Sequence, residues 1–353
     1  MSAPLPAPPP ERLNPLWELI LMRSRSLTRE PSVLFWTFIF PLLTSLALGV
    51  AFRNQQLQPI DVAVADGPGA DAAVAQLNAE PGLHAVRVPL PEARERLRRG
   101  KAALVLVPGE SPELVVDPSQ PEGRSARLLV HEALERAAGR ADKVSLRTAE
   151  VTEPGSRYID FLIPGLLGMG MMMSGAWGIG WSIVDMRTGK LLKRLMATPM
   201  KRSHFLLSFM VSRSLLTVLE VLFFVFYARV LFGVRMFGSL LEFVAYALLG
   251  SLSFAGLAIL IASRAQNTQT ASGLMNLMTM PMMVVSGVFF SSSHFPEWTQ
   301  PVIKALPLTA VLDGLRGIML DGLSIAALGP QLVVMVAWGL LPFVIALRIF
   351  RWS

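Results

Sequence analysis

Two ionisable residues interrupt a long apolar stretch of the chain. Arg213 and Glu220 lie seven positions apart within residues 206–232, which puts them on the same side of a helix and about 10 Å apart along its axis. A charge near the middle of a membrane helix costs at least about 2.5 kcal/mol. We therefore expect Glu220 to face other helices or a water-filled path. It would be either a polar contact for a ligand or a second subunit, or a protonated structural carboxyl bonded to a neighbouring helix. Arg213, nearer the end of the stretch, is expected to extend its guanidinium to the membrane surface.

A basic segment precedes that stretch. Residues 183–205 combine cationic side chains with leucines, and Leu191, Leu192 and Leu195 are predicted to share one face of a short helix. Such a helix can insert its apolar face into a groove on a partner protein. The alternative is that the cations only hold the loop on the inner side of a membrane. The candidate contact residues are Arg187, Lys190, Leu191, Leu192, Arg194, Leu195, Thr198 and Pro199.

Groups that could catalyse a reaction are scarce. The chain has no Cys, and its four His share no ligand spacing, so thiol catalysis and Cys-ligated metals are excluded. Neither Gly100-Lys101 nor Gly189-Lys190 has the following Ser or Thr, or the preceding Gly, of a phosphate-binding P-loop. We expect no catalytic residue, metal or cofactor in this chain.

Methionine is concentrated in two runs, MGMMMSG (169–175) and MNLMTMPMM (275–283), which contain the candidate path residues Met172 and Met275. Flexible thioether side chains suit a cavity that accepts varied apolar molecules. Thioethers also bind Cu(I), but neither run contains His. The glycines between positions 165 and 180 permit close helix approach and are predicted to fit the seam of a dimer.

Six apolar stretches are long enough to be membrane spans. The chain has 353 residues, of which 52% are hydrophobic and 16% charged, whereas soluble domains carry about 25% charged residues. A membrane helix needs about 20 apolar residues. The predicted spans are 32–52, 158–182, 206–232, 240–262, 272–290 and 329–349.

The formal net charge of +7 indicates topology rather than nucleic-acid binding. Lys and Arg exceed Asp and Glu in segments 1–31, 183–205 and 263–271, whereas the other loops are nearly balanced. The positive-inside rule then places both termini in the cytoplasm and residues 53–157 outside it. Residues 1–31 are predicted to form a Pro-rich disordered tail and an amphipathic helix on the inner membrane surface.

Residues 53–157 have the pattern of a small α/β domain. Apolar runs alternate with helical segments in this part of the chain, which predicts a small mixed sheet. The predicted strands are 59–66, 84–90, 102–109 and 112–118, and the predicted helices are about 70–79, 91–100 and 122–140.

Residues 291–328 are semi-apolar and contain three prolines, which suits broken helices that enter the outer leaflet without crossing it. Phe295, Pro296, Trp298, Pro307 and Arg316 characterise this segment. The predicted fold is an α-helical integral membrane protein with six transmembrane helices, an N-terminal interfacial helix and a re-entrant hairpin before the last span. A small extracytoplasmic α/β domain follows the first span, and residues 158–353 form a five-helix transmembrane domain.

Three stretches carry a likeness to a known family. They are DMRTGKLLKRLMATPMKRSHFLLS (185–208), ASRAQNTQTASGLMNLMTMPMMVVSGVFF (262–290) and FPEWTQPVIKALPLTAVLDGLRGI (295–318). In order and spacing they resemble the permease subunits of type-2 ABC exporters, in the branch with a large outer domain between the first two spans. The resemblance covers about residues 30–353. The inner loop departs from the family, which usually carries Glu near the positions of Arg187 and Lys193.

The resemblance implies a transmembrane permease subunit of an ATP-driven exporter in the bacterial cytoplasmic membrane. Its cargo would be a hydrophobic or amphiphilic molecule, such as a drug-like compound or a lipid, moved outward. The implied partners are two cytoplasmic ABC ATPase subunits, a second permease copy or paralogue, a periplasmic adaptor and membrane lipids. ATP and Mg²⁺ would be bound by the ATPase subunits, and residues 183–205 would be the loop coupled to them.

Two other classes of function are alternatives at this point. A membrane-anchored receptor would sense a ligand with the outer domain, and it would need a signalling domain on the inner side. A proton-driven secondary transporter would use Glu220, and it would be expected to show an internal repeat of spans. The sequence shows neither feature.

Overall fold

The computed structural model describes residues 17–22, 25, 31–51, 59–109, 112–118, 120–140, 157–197 and 202–349. The chain divides into two compact units. The first, here called the helical unit, comprises Met1–Phe52 and Val151–Ser353, and the second, the α/β unit, comprises Arg53–Glu150. Each unit has a buried apolar core of its own.

The helices, within the described residues, are mostly in the helical unit. Helix α1 joins Pro31–Leu34, a π-helical stretch Phe35–Ile39 and Phe40–Ala51, and α5 joins Tyr158–Met173, a π-helical stretch Ser174–Trp181 and Ser182–Thr188. The others are α2 (Ala70–Asn78), α3 (Leu90–Arg98), α4 (Pro121–Ala137), α6 (Leu191–Met196), α7 (Arg202–Phe232), α8 (Leu240–Arg264), α9 (Thr268–Val285), α10 (Gln300–Lys304), α11 (Pro307–Met319) and α12 (Gly329–Ile349).

Four helical stretches of the described part are long and apolar enough to cross a membrane. They are Tyr158–Thr188, Ser203–Phe232, Leu240–Arg264 and Ile325–Ile349, which correspond to the second, third, fourth and sixth predicted spans. The apolar part of α1, Phe35–Ala51, is shorter.

The fifth predicted span ends earlier than expected. It was predicted to reach residue 290, but α9 ends at Val285. The chain turns at Gly287, which has a φ of +87°, a left-handed conformation that glycine adopts without steric cost.

Helix α8 contacts both α11 and α12 through residues on one of its faces. Tyr246 Oη donates to the carbonyl oxygen of Ala310 at 2.7 Å, and Gly314 lies directly against the Tyr246 ring. Ser253 Oγ donates to the carbonyl oxygen of Met335, also at 2.7 Å. As a result α11 is buried along almost its whole length.

The glycines of α5 allow close helix approach, as predicted, but their partners lie in the same chain. A Cβ atom at four of these positions would overlap with or crowd neighbouring elements of the helical unit. Gly165 faces Val288, Gly168 faces Leu312, Gly175 faces Phe254 and Gly180 faces Met275. Packing within one chain therefore accounts for these glycines without the predicted dimer seam.

The segment between α9 and α12 folds into short helices and turns that contact other helices. Two 3₁₀ turns, Ser292–His294 and Glu297–Thr299, lead to α10 and α11. Trp338 Nε1 donates to the carbonyl oxygen of Ala305 at 2.8 Å, so the turn between α10 and α11 lies beside the middle of α12. The amide of Phe237 donates to the carbonyl oxygen of Met319 at 2.9 Å, so α11 ends beside the loop that joins α7 to α8.

Helical residues 17–22 have one buried and one exposed side. Leu19 and Ile20 are buried, whereas Trp17 and Met22 are exposed. Ser212 Oγ of α7 lies 3.5 Å from the carbonyl oxygen of Ile20. These residues therefore pack against α7. Most of the predicted segment 1–31 lies outside the described residues, and its place at a membrane surface stays a prediction.

The α/β unit contains a four-stranded sheet with the order β2-β1-β3-β4. The strands are β1 (Ile60–Ala65), β2 (Leu83–Val88), β3 (Leu104–Val107) and β4 (Glu113–Val116), inside the four predicted segments apart from one residue at the start of β2. Strand β1 is parallel to β2 and β3, and β4 is antiparallel to β3. The sheet is therefore mixed, as predicted.

Alternating side chains bury both faces of this sheet. Val64 and Leu104 pack with the side of the sheet that α2 and α4 cover, whereas Ala63 and Val105 pack with Leu97 of α3 on the other side. The edge strand β2 is closed by Asn78, whose side chain bonds both the amide and the carbonyl of Ala85; such side-chain cover protects a sheet edge from unwanted pairing.

Candidate functional site

A buried ion pair lies inside α7. Arg213 Nη2 donates to Glu220 Oε2 at 2.8 Å, and the two side chains are only 4% and 0% exposed. The long arginine side chain bridges the two helical turns between these positions. The predicted extension of Arg213 to the membrane surface is therefore wrong. The bonding partner of Glu220 lies on its own helix and not, as one interpretation had it, on a neighbour.

Helices α5 and α8 enclose the pair. A Cβ atom on Gly170 of α5 would be 3.0 Å from Glu220 Oε1, so the glycine makes room for the carboxylate. Thr217 Oγ1, between the two charges, is 2.8 Å from Ser251 Oγ of α8. Among the described residues, Arg213 Nε and Glu220 Oε1 have no hydrogen-bond partner. The cluster thus offers one donor and one acceptor in apolar surroundings, which is the chemistry needed to bind a polar group.

The inner loop predicted to contact a partner is anchored by Arg187. Its guanidinium donates to the carbonyl oxygens of Ala262 at 2.8 Å, Ser263 at 3.4 Å and Ala265, all at the C-terminal end of α8. The last carbonyls of a helix lack partners within the helix and carry partial negative charge. Arg187, predicted to be a contact for a partner, is therefore bound to its own chain.

The other residues of this loop differ in exposure. Leu192 is 1% exposed and packs in the cluster that contains Met275, whereas Leu191 is 40% exposed and Lys190 and Arg194 are also exposed. The prediction that the leucines share one outward face is wrong for Leu191 and Leu192, because consecutive helical positions point about 100° apart. The side chain of Leu195, and Thr198 and Pro199, lie outside the described residues.

The two methionines predicted to line a path are both buried. Met172 lies in the core formed with α7, α8 and α11, and Met275 lies in a second cluster nearer the inner loop, against Gly180. The structure therefore does not bring these two side chains together in one cluster.

The predicted re-entrant residues have different surroundings. Trp298 is 81% exposed and Pro296 is exposed, while Phe295 is half-buried. Pro307 is buried in the first turn of α11, a position that does not need an amide hydrogen.

Arg316 connects α11 to two other segments. Its guanidinium carbon lies 3.6 Å from the centroid of the Phe161 ring. Its Nη2 atom donates to the carbonyl oxygen of Gly287 at 2.7 Å and to that of Phe161 at 3.3 Å. Arg316 therefore joins the end of α11 to the start of α5 and to the turn after α9.

Sequence reasoning missed a similar contact at the start of α5. Arg157 Nη2 donates to Asp160 Oδ1 at 2.8 Å, and Arg157 Nη1 donates to the carbonyl oxygen of Phe232 at 3.0 Å. The hydrogen bond with Asp160 raises the pKa of Arg157, and the amide of Arg157 also donates to Asp160. The signal available in the sequence was the Arg-x-x-Asp spacing of a helix start, since an acid at the third helical position can bond the amide before the helix.

Comparison with known proteins identifies the relationship of the chain. A family model described as "ABC-2 family transporter protein" matches residues 31–348. That match covers the helical unit from α1 to α12 and the α/β unit. No curated protein matches the chain.

Proposed function

Because the chain belongs to the ABC-2 family of transporter proteins, we propose that it is the permease subunit of an ATP-driven exporter. The family is one of membrane-embedded, non-catalytic transporter subunits that associate with ABC ATPases. The observation that carries the proposal is the match over residues 31–348, together with helices of membrane-spanning length. Energy would come from ATP and Mg²⁺ bound to two cytoplasmic ATPase subunits.

The proposed topology has six spans with both termini in the cytoplasm of a bacterium and the α/β unit outside. Helices α1 and α9 would be the first and fifth spans beside the four longer ones. The distribution of Lys and Arg supports this orientation. Helices α10 and α11 would form a re-entrant hairpin, supported by the contact of Ala305 with Trp338 halfway along α12.

The proposed cargo is a hydrophobic or amphiphilic molecule, moved outward. The large exposed apolar side chains of α7 and α12 and the methionine-rich helices support apolar contacts with it. The Arg213–Glu220 pair, with its free donor and acceptor among the described residues, would supply a polar contact when the helices around it separate. A second permease copy or paralogue would complete the path, and the α/β unit would face a periplasmic adaptor.

An ATP-dependent transport assay tests this proposal. The full chain is co-expressed with candidate ABC ATPase subunits, and the complex that forms is reconstituted in liposomes with a fluorescent amphiphilic dye as the probe. We expect dye accumulation that requires ATP and stops when the catalytic glutamate of the ATPase is replaced. Accumulation driven by a proton gradient without ATP, or failure of any ATPase to associate, would reject the proposal in favour of a secondary transporter or a receptor.

A further inference from the structure

Helix α5 changes its hydrogen-bonding pattern along its length. Its first part, Tyr158–Met173, and its last part, Ser182–Thr188, are α-helical, whereas Ser174–Trp181, here called the π stretch, is π-helical. A π-helix bonds each amide to the carbonyl five residues earlier instead of four. Such stretches are rare, and inside α-helices they frequently lie at functional sites. The glycine contacts of the π stretch show what its geometry achieves.

Two glycines of the π stretch pack against α8. A Cβ atom on Gly175 would be 2.9 Å from Phe254 Cβ. One on Gly180 would be 3.6 Å from the carbonyl oxygen of Ala258 and would overlap with Met275 of α9. Phe254 and Ala258 are one turn apart on α8, but the glycines that face them are five positions apart. Residues five apart point about 140° away from each other on an α-helix, whereas the i→i+5 bonds of a π-helix place them one above the other. The π geometry therefore lets both glycines face α8.

Gly178 lies on an open side of the π stretch. Among the described residues, no neighbouring element comes within 4 Å of a Cβ atom built on Gly178. Without Gly178, Gly175 and Gly180 would be four positions apart, the spacing at which an α-helix brings residues to one side. Gly178 is therefore the additional residue that the wider turn accommodates.

The two ends of α5 are fastened to different helices. In the first part, Arg157 binds the carbonyl oxygen of Phe232 at the end of α7, and Gly170 makes room for Glu220 of the same helix. In the last part, Arg187 binds carbonyl oxygens at the end of α8. A movement of α7 relative to α8 would therefore twist α5 between these anchors, and the π stretch lies there.

We propose that the π stretch is a conformational switch that converts to α-helix and back during each transport cycle. Conversion turns the last part of α5 relative to the first by about one residue, roughly 100°, so the parts fastened to α7 and to α8 can move independently. In the π form Gly175 and Gly180 pack on α8, and in the α form one of these contacts opens. The inference rests on the proposed function, because the switch serves the transport cycle.

A buried donor in the π stretch fits a second state. Trp177 Nε1 is buried and has no hydrogen-bond partner among the described residues. Most buried polar groups in folded proteins are bonded, so an exception requires an explanation. The turn of α5 moves the Trp177 ring, and the indole nitrogen then reaches a partner in the α form that it lacks in the π form.

Deletion of Gly178 tests the switch and retains the contacts of the other two glycines. The shortened α5 is α-helical throughout and still directs Gly175 and Gly180 at α8, so we expect an unfolding temperature at or above that of the unaltered chain. Because this helix cannot form the π turn, we expect ATP-dependent dye accumulation in liposomes to fall by about tenfold or more, with the ATPase subunits still bound. The matched control is Gly178→Ala, which keeps the number of residues and meets no described neighbour; it should transport like the unaltered chain.

Spin labels follow the switch in a chain that retains Gly178. The chain has no Cys, so labels attach only at Thr188→Cys, exposed at the end of α5, and Ser203→Cys, exposed in the first turn of α7. We compare the complex without nucleotide and with ATP held by an ATPase whose catalytic glutamate is replaced. We expect a second label distance with ATP that differs by about 5 Å, since side chains extend about 5 Å from a helix axis. With Gly178 deleted, only the first distance should remain.

Three results would overturn the switch and leave the proposed function intact. Equal transport by the deletion variant and the unaltered chain would make the π stretch a fixed packing feature. An equal loss of transport in Gly178→Ala would assign the effect to the glycine itself instead of the helix register. A single label distance that ATP leaves unchanged would exclude the conversion, also where the deletion variant fails to fold. If the unaltered complex shows no ATP-dependent transport, the proposed function fails, and the label distances alone decide on the switch.

Discussion

The Arg213–Glu220 ion pair inside α7 predicts that a second substitution restores stability lost by the first. Glu220→Gln keeps the shape of the side chain and an oxygen that can accept the hydrogen bond, but it leaves Arg213 as a buried charge without a counter-ion. Arg213→Met removes the cation and fills similar volume. The double substitution removes both charges. We expect the double variant to be more stable than Glu220→Gln alone.

The magnitude follows from distance and burial. At 2.8 Å and an effective dielectric constant near 20, the attraction within the pair is about 6 kcal/mol before desolvation is subtracted. Removing one partner of a buried pair typically costs about 3–5 kcal/mol, whereas replacing both by uncharged groups is often neutral. Glu220→Gln should therefore cost about 3 kcal/mol, since its amide oxygen can still accept from Arg213. Arg213→Met should cost less, because a carboxyl can take up a proton whereas a guanidinium cannot lose one.

The assay is reversible unfolding of the purified chain in mixed micelles by an ionic detergent, followed by tryptophan fluorescence. The control is the Arg96–Glu92 pair of the α/β unit, which has the same 2.8 Å separation but is 37% and 48% exposed. There Glu92→Gln should cost only about 0.5 kcal/mol or less. If the double variant of α7 is less stable than Glu220→Gln, or if Glu220→Gln costs no more than Glu92→Gln, the ion pair is not a coupled buried pair and the reasoning is refuted.

Two further predictions concern packing in the helical unit, and both are read by thermal unfolding of the detergent-purified chain. Gly314→Ala places a methyl group into the Tyr246 ring and should cost about 1–3 kcal/mol, whereas Gly178→Ala, with nothing within 4 Å, should be neutral or slightly stabilising. Arg316→Lys loses the stacking on Phe161 and part of its carbonyl contacts and should cost about 1–2 kcal/mol. An equal effect of the two glycine substitutions, or an unchanged unfolding temperature for Arg316→Lys, would contradict the packing described.

The sequence predicted the elements of the fold better than their ends. Alternating and continuous apolar runs located the four strands because side-chain alternation is a local property. The order β2-β1-β3-β4 was not predicted, since strand order depends on contacts between distant segments. The fifth span was extended to residue 290 because Val288, Phe289 and Phe290 continue the apolar run, and nothing in hydropathy reports the left-handed φ of Gly287.

Side-chain partners were the part that the sequence could not supply. The spacing of Arg213 and Glu220 put them on one face of a helix. Whether they bond to each other directly depends on burial, which removes competing water, and spacing does not report burial. For Arg187, composition indicated only a basic loop, and the positive-inside rule and a docking role both account for such a loop. The deciding fact is the position of the end of α8 beside it, which is a property of tertiary packing.

Three arginines of the helical unit each bind a carbonyl oxygen at the end of a helix, and one physical reason explains all three contacts. Arg157 binds the carbonyl oxygen of Phe232 at the end of α7, Arg187 binds the end of α8, and Arg316 binds the carbonyl oxygen of Gly287 just after α9. Helix ends leave carbonyls without partners, and in an apolar environment each such group costs several kcal/mol, so a guanidinium supplied from another segment stabilises the end.

The spacing of two of these arginines supports the assignment of α5 as a membrane span. Arg157 precedes the helix and Arg187 is next to its last residue, and at 1.5 Å per residue they are about 45 Å apart. A bilayer with its headgroup regions is about 40–45 Å thick. Each arginine therefore lies at the level where a neighbouring helix ends: the C-terminal end of α7 for Arg157 and the C-terminal end of α8 for Arg187. Helices α7 and α8 are consecutive and run in opposite directions, so their C-terminal ends lie near opposite ends of α5. Arg157 binds the C-terminal end of α7, and Arg187 binds that of α8.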